Sequence, residues 1–187
     1  MHTHVALLRG INVGGRNRVA MADLRDLVQE LGHTDVDTYV QSGNVLLCTE
    51  QRDTTAMAAA MERALVDRLG VQAVVLVLAR DELAGVIARN PYPEETNPKA
   101  LHAVLLTQQP APDLTDRVAA AQRAAMAKGS PDTAVVDGRV IYLRTPDGIG
   151  RSELAARLTR GGSKQVAATG TARNWATMTA LLARCGG

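Results

Sequence analysis

The sequence predicts an α+β protein made of two ferredoxin-like (split βαβ) subdomains with antiparallel sheets. Three observations lead to this prediction. The apolar residues of 1–79 alternate between strand and helix periods in the order βαββαβ. A linker at 80–98, with a short helix and three prolines, then interrupts the pattern. Residues 99–187 repeat the βαββα order and end in a terminal helix, so we expect two halves of similar plan.

The elements of the N-terminal half follow from its apolar spacing. Its second helix, for example, has Met57, Met61 and Leu65 four residues apart on one side. Ser42-Gly43 suits the tight turn of a β-hairpin. The predicted order is a strand at 4–9, a helix at 21–31, hairpin strands at 36–41 and 44–48, a helix at 54–69 and a strand at 73–79.

The C-terminal half is predicted in the same way. Asp137-Gly138 marks its hairpin turn because both residues tolerate positive φ. Ser152 and Asn174 are suitable N-caps for the helices that they precede. The predicted order is a linker helix at 80–89, a strand at 101–107, a helix at 113–129, hairpin strands at 133–138 and 139–144, a helix at 152–161, a short strand at 166–170 and a helix at 174–184.

Composition and charge argue against several classes of protein. The 21 basic and 19 acidic residues leave a net charge of +2, too close to neutral to indicate nucleic-acid binding by itself. Two cysteines form no disulfide framework, and we expect neither a signal peptide nor a membrane-spanning segment. The four histidines are scattered, so we predict no metal site and no cofactor. The expected location is cytoplasmic, with no membrane partner.

A glycine- and arginine-rich loop follows the first strand, in the run LLRGINVGGRNRVAMADL at 7–24. It imitates a phosphate-binding P-loop, but Arg16 replaces the lysine and Asn17 replaces the hydroxyl residue that binds magnesium. The next helix also begins only near Ala20, which aims its dipole poorly at the loop. The sequence therefore argues against nucleotide hydrolysis by this loop.

A weaker anion-binding hypothesis survives for the same loop. Glycines allow backbone N–H groups to converge, and the arginine and asparagine side chains add charge and donors. The alternative is that the glycines only let the chain turn after a strand. The candidate ligand-binding residues of the loop are Arg9, Asn12, Gly14, Gly15, Arg16 and Asn17.

The predicted hairpin turn adds further candidates. In the 4-1-3-2 strand order of a ferredoxin-like sheet, the end of the first strand lies beside the start of the third. The loop and the turn should therefore meet at one edge, where Gln41, Ser42 and Asn44 offer polar groups. Arg173 is unfavourably placed ahead of the last helix, so we expect an acidic side chain or an anionic ligand beside it.

Three stretches resemble the bacterial family called domain of unknown function 1697. They are ALLRGINVGGRNRVAMADLRDLVQELG, YVQSGNV and TARNWATMTALL, and they extend over nearly the whole chain. The resemblance implies a fold of two ferredoxin-like subdomains. It implies no activity, because none is assigned to the family.

Two functional hypotheses and one structural alternative remain. The first is binding of a small anionic or phosphate-bearing ligand at the 9–18 loop. Nucleic acid would be bound through phosphate only, because the first and third strands have no aromatic side chain on which a base could stack. The second is an enzyme that acts on a small anionic metabolite, with Arg9, Arg16 and Asn44 as electrostatic stabilisers but no evident base or nucleophile. The alternative is a structural or oligomerising domain, and the oligomeric state stays open.

Overall fold

The computed structural model describes residues 1–15, 17–159 and 170–186. Its strands are β1 (His4–Arg9), β2 (Thr34–Tyr39), β3 (Asn44–Cys48), β4 (Val74–Ala79), β5 (Leu101–Leu106), β6 (Thr133–Asp137), β7 (Val140–Arg144) and β8 (Gly170–Asn174). Its helices are α1 (Met21–Glu30), α2 (Thr54–Leu69), α3 (Arg80–Ala88), α4 (Leu114–Met126), α5 (Glu153–Thr159) and α6 (Trp175–Cys185), with a 3-10 turn at Ile149–Arg151.

The strands form two four-stranded antiparallel sheets of identical topology. The first sheet has the order β2-β3-β1-β4 and the second has the order β6-β7-β5-β8. Each sheet with its two crossover helices is a split βαβ unit. The predicted α+β fold of two ferredoxin-like subdomains is therefore confirmed.

The chain forms two compact units, Met1–Gly85 with Thr179–Gly187, and Val86–Met178. We call them the first and the second unit. The sequence predicts one half that ends at residue 79 and another that begins at residue 99, and these boundaries stay a prediction. In the described part of the chain, no helix combines the length and the apolarity that a membrane span requires.

One apolar cluster fills the space between the first sheet and its two helices. On β1, alternate side chains such as Ala6 and Leu8 face this cluster and are buried. The helices contribute the stripes that their spacing predicts, formed by Leu24, Leu27 and Val28 on α1 and by Met57, Met61 and Leu65 on α2. Burial of each such side chain stabilises the unit by about 1.5–3 kcal/mol, which fixes β1 and α1 on either side of their connecting loop.

The second unit has a corresponding cluster between its sheet and helices α4 and α5. Val104 and Leu106 of β5 face it, as Ala6 and Leu8 do on β1. Ser152 caps α5 as predicted, because its Oγ accepts a hydrogen bond from the Ala155 N–H at 2.8 Å. Asn174 likewise caps α6 through its Oδ1, which accepts from the Thr177 N–H at 2.8 Å.

The structure differs from the prediction at β2 and in the segment before the last helix. β2 lies at Thr34–Tyr39, two residues earlier than expected, because Asp35 adopts a left-handed φ of 48° in an irregularity that lets the strand start sooner. The predicted strand at 166–170 falls mostly outside the described residues, and the strand that is described there is β8. Arg173 lies within β8, opposite Ala103, so it does not open the last helix.

Candidate functional site

The loop between β1 and α1, residues 10–20, has an unusual backbone. Non-glycine residues rarely adopt a positive φ, and asparagine is among the few that tolerate it. Among the described residues of this loop, those with a positive φ are Gly10 (89°), Asn12 (54°), Gly14 (58°), Gly15 (77°) and Asn17 (49°). The glycines therefore have the conformational role that the sequence indicates, and two asparagines share it.

Asn12 holds the two ends of this loop together. Its side-chain Oδ1 accepts from the Val19 N–H at 2.9 Å, and its Nδ2 donates to the Val19 carbonyl at 3.0 Å. The same Nδ2 donates to the Gln41 carbonyl of the β2–β3 turn at 3.3 Å. The Asn12 amide thus connects the loop with itself and with the neighbouring turn.

Asn17 makes a similar attachment on another side of the loop. Its Nδ2 donates to the Gly10 carbonyl at 2.8 Å and to the Gln72 carbonyl, ahead of β4, at 3.3 Å. Its own carbonyl accepts from the Asn12 N–H at 3.0 Å. Both asparagine amides that the sequence offers to a ligand therefore make hydrogen bonds to the backbone of the protein.

The loop and the β2–β3 turn meet as the strand order predicts. Leu7 of β1 pairs with Asn44 of β3, and the Leu8 N–H donates to the Gly43 carbonyl at 2.7 Å. Asn44 is fully buried, and its Nδ2 donates to the Tyr39 carbonyl at 3.0 Å and to the Ser42 Oγ at 2.8 Å. These two hydrogen bonds from the buried Asn44 hold the β2–β3 turn in its conformation.

A cleft of about 650 Å³ opens between the loop and this turn. Its walls consist of Asn12, Gly15, Arg18, Val19, Ala20, Met21 and Gln41. The volume lies within the range of small-molecule sites. The start of α1 contributes Ala20 and Met21 to the wall, so the helix begins at the cleft. The helix begins where the sequence predicts it, near Ala20, and the hydrogen bonds between Asn12 and Val19 fold the loop back so that this helix start borders the cleft.

The backbone N–H groups at the start of α1 lie beside this cleft. Ala20, its N-cap, has an extended backbone, and within the described residues no side chain accepts from the N–H groups of the first turn. Asp23 lies in that turn but is solvent-exposed. Arg18, also exposed, places a guanidinium in the same cleft. A basic side chain and a helix N-terminus, which carries a partial positive charge, therefore both border the cleft.

The predicted site residues divide into three groups. Asn12, Gly15 and Gln41 line the cleft, whereas Gly14, Asn17, Ser42 and Asn44 lie in the adjoining loop and turn without lining it. Arg9 lies elsewhere. Arg9 ends β1 opposite Val74, and strand alternation points it away from the face of Leu8. Arg16 lies outside the described residues.

Arg173 belongs to the second unit and has its own local environment. Its guanidinium donates to the Thr171 Oγ1 at 2.7 Å and to the Ala172 carbonyl at 2.9 Å. Burial lowers the pKa of the guanidinium from its ordinary value to about 10, because the charged form is desolvated. The cleft of the first unit does not include this residue among its lining groups.

Four cleft residues were not among the predicted site residues: Arg18, Val19, Ala20 and Met21. A signal for Arg18 was present, since it is one of the arginines of the loop. The three apolar residues gave no signal of their own, because they read as the approach to an amphipathic helix. In the described ranges, no group of three histidine, cysteine or acidic side chains is arranged to hold a metal ion.

A second, smaller cleft of about 310 Å³ lies in the second unit beside the start of α5. Its buried centre is Asp132, whose Oδ2 accepts hydrogen bonds from Ser130 Oγ at 2.6 Å and from Ser152 Oγ at 2.8 Å. Because Ser152 also caps α5, these bonds join the segment before β6 to the helix start. This arrangement is explained by capping alone.

Comparison with known proteins identifies the family. The family described as "Protein of unknown function (DUF1697)" matches residues 1–142. The chain belongs to this family. The match confirms the resemblance seen in the sequence, and it includes both the loop and the turn that form the cleft. No curated protein matches this DUF1697 chain significantly in sequence.

One solved structure similar to this DUF1697 protein is that of "conserved bacterial protein SP0830 from Streptococcus pneumoniae". The two chains share 19% sequence identity with a TM-score of 0.72, and the similarity covers 98% of each chain. At this identity the likeness concerns the fold alone. It supports the arrangement of two ferredoxin-like subdomains over the whole length.

Proposed function

We propose that the first unit binds a small anionic or phosphate-bearing ligand in the cleft between the 10–20 loop and the 40–43 turn. The observation that carries the proposal is the composition of the cleft wall. Arg18, the glycine backbone at Gly15 and the uncapped start of α1 all border one space of about 650 Å³. A guanidinium, a helix N-terminus and backbone N–H groups are the donors that bind phosphate and carboxylate groups in proteins.

The apolar part of the wall indicates what else the ligand contains. Val19 is buried beneath the cleft, and Met21 is half-buried at its edge. An ion without an organic part would leave the exposed part of Met21 facing water. The proposed ligand therefore has an anionic group attached to a small organic body, such as a phosphometabolite.

Cytoplasmic location and phosphate-only contact with nucleic acid remain part of this proposal. Both cysteines are free thiols, as a reducing compartment would keep them. None of the residues that line the cleft is aromatic, so base stacking has no platform there.

A thermal-shift screen with a matched pair of variants tests the proposal. The panel contains inorganic phosphate, nucleotides, sugar phosphates and short RNAs. Arg18→Gln should abolish the rise in Tm that a bound ligand produces, whereas Arg63→Gln, an exposed arginine on α2 away from the cleft, should leave it unchanged. Equal loss in both variants would indicate general charge screening and contradict the proposal.

A second variant tests the helix start separately. Ala20→Asp should cap α1 and place a carboxylate in the cleft wall, so it should raise the free energy of unfolding by about 1 kcal/mol while weakening anion binding. Stabilisation without loss of binding would place the ligand elsewhere. Conversion of a bound ligand to a product in the same assay would extend the proposal from binding to catalysis.

A further inference from the structure

We propose that Asn12 is a positioning residue, whose side-chain amide is bound to backbone groups of both walls of the cleft and sets the distance between them. This inference rests on the proposed function, because it concerns the same cleft. Val19 belongs to the wall formed by the loop, and Gln41 belongs to the wall formed by the turn. The Asn12 Nδ2 donates to the backbone carbonyls of both residues, at 3.0 Å and 3.3 Å.

The chemistry of an amide suits this position. The Val19 backbone has one donor and one acceptor, and the Asn12 side chain binds both. Its Oδ1 accepts from the Val19 N–H at 2.9 Å, and its Nδ2 donates to the Val19 carbonyl. Aspartate would have the same shape but would turn a second oxygen toward two carbonyl oxygens. The left-handed backbone of Asn12, with φ of 54°, further restricts the position to asparagine, aspartate or glycine.

The arrangement distinguishes Asn12 from Asn17, which is its natural control. Asn17 has the same left-handed backbone, with φ of 49°, and its Nδ2 also donates to two carbonyls. Those carbonyls belong to Gly10 and Gln72, which do not line the cleft. Both residues stabilise the loop, but only the Asn12 amide joins residues of opposite walls.

The test compares Asn12→Gly with Asn17→Gly, because glycine keeps the left-handed backbone and removes only the amide. Sulfate serves as the probe, since its charge stays constant across the pH range used, and binding is followed through the amide NMR signals of Gly15 and Val19. Asn12→Gly should weaken sulfate binding about tenfold, the effect of losing preorganisation worth roughly one hydrogen bond. Asn17→Gly should lower Tm about as much as Asn12→Gly does, but it should leave the affinity for sulfate within about twofold of the wild-type value.

A second experiment uses amide NMR signals to detect the hydrogen bonds of the residue-12 side chain without any ligand. In Asn12→Asp, the amide signals of the 40–43 turn should move away from their wild-type positions at pH 7. They should return toward them as the pH falls through about 4, the ordinary pKa of an aspartate, because the protonated carboxyl regains a donor. A merely local loss of stability would produce no such return, and Asn17→Asp should leave these turn signals in place at both pH values.

The outcomes separate this inference from the proposed function. Equal weakening of sulfate binding in both glycine variants, or turn signals that ignore Asn12→Asp, would overturn the positioning role. Absence of sulfate binding in the wild-type protein would contradict an anion site in this cleft. In that case, turn signals that still respond to Asn12→Asp and recover with acid would uphold the role of Asn12 in holding the cleft open at a fixed width.

Discussion

The two ferredoxin-like sheets place a loop beside a hairpin turn in the same way, and in the first unit a cleft of about 650 Å³ opens at that junction. In the first unit the Leu8 N–H donates to the Gly43 carbonyl at 2.7 Å, and in the second the Leu106 N–H donates to the Arg139 carbonyl at 2.8 Å. The topology alone therefore brings the end of the central strand to the neighbouring turn in both units.

The segments that connect the central strand to the next helix differ between the two units in length, proline content and backbone conformation. The segment between β1 and α1, residues 10–20, contains five residues with positive φ among those that the structure describes, and two asparagine attachments. The segment between β5 and α4, residues 107–113, is shorter, contains two prolines and has no residue with positive φ, and all of it is described. One fold position thus serves as a simple crossover in one unit and as a shaped cleft in the other.

The largest expected effect tests how closely the turn of the first unit is packed. A Cβ at Gly43 would lie 2.8 Å from the Leu8 Cβ and 2.9 Å from the Ile11 Cδ1, on a backbone with φ of 73°. Gly43→Ala should therefore lower the free energy of unfolding by about 3 kcal/mol, through overpacking and left-handed strain together. Urea unfolding measures this change.

Gly138→Ala is the matched control in the second unit. Gly138 has φ of 54°, but among the described residues no atom lies within 4 Å of its built Cβ. Its replacement should cost only the backbone strain of about 1 kcal/mol. Equal destabilisation by the two substitutions would mean that the two turns are packed alike, and the contrast between the units would be wrong at this point.

An intermediate effect is expected from acid, and it should differ between the units. Burial lowers the pKa of His4 and His33 in the first unit and of His102 in the second, because each charged imidazolium would be desolvated. The nearby His4 also disfavours the charge of His33 and lowers the pKa of His33 further, whereas Glu82 partly offsets the lowered pKa of His4. The unfolded chain, in which these pKa values return to normal, therefore takes up protons first as the pH falls.

Stability should consequently be unaffected above the ordinary histidine range and should decrease as the pH falls through it, from about pH 7 to pH 5. Urea unfolding at both pH values, followed through amide NMR signals of β1 and β5, should reveal a greater loss in the first unit. His33→Gln should reduce that loss, and His102→Gln should reduce only the loss in the second unit. A pH-independent midpoint would contradict this prediction.

The smallest effect concerns how helices begin in the two units. Asp53 caps α2 by accepting from the N–H groups of Thr55 at 3.0 Å and Ala56 at 2.9 Å. Asp113 precedes α4 without accepting such a bond from the described residues. Asp53→Ala should therefore cost about 1 kcal/mol, and Asp113→Ala less than about 0.5 kcal/mol. Thermal unfolding compares the two, and a reversed order would contradict the observed capping.

Much of the fold was predictable because its signals are local. Helix α2 occupies the predicted range 54–69, since its apolar spacing and its flanking Asp53 and Gly70 all act within a few residues. β2 was predicted two residues too late because the bulge at Asp35 depends on pairing with β3, which no local pattern reveals. The wall residues Val19, Ala20 and Met21 were missed because in the sequence they read as the approach to an amphipathic helix, and only the folded loop brings them to the cleft.

By itself, the sequence determined the two βαββαβ units, their strand order and the edge at which the loop meets the turn, because apolar periodicity and chain connectivity leave few other solutions. The tertiary structure alone decided what the polar residues of that edge do. Asn12, Asn17 and Asn44 make hydrogen bonds to backbone groups or to a neighbouring hydroxyl, many of them distant in sequence. An amide donates equally well to a ligand and to a carbonyl, and only the folded chain determines which acceptor lies within reach.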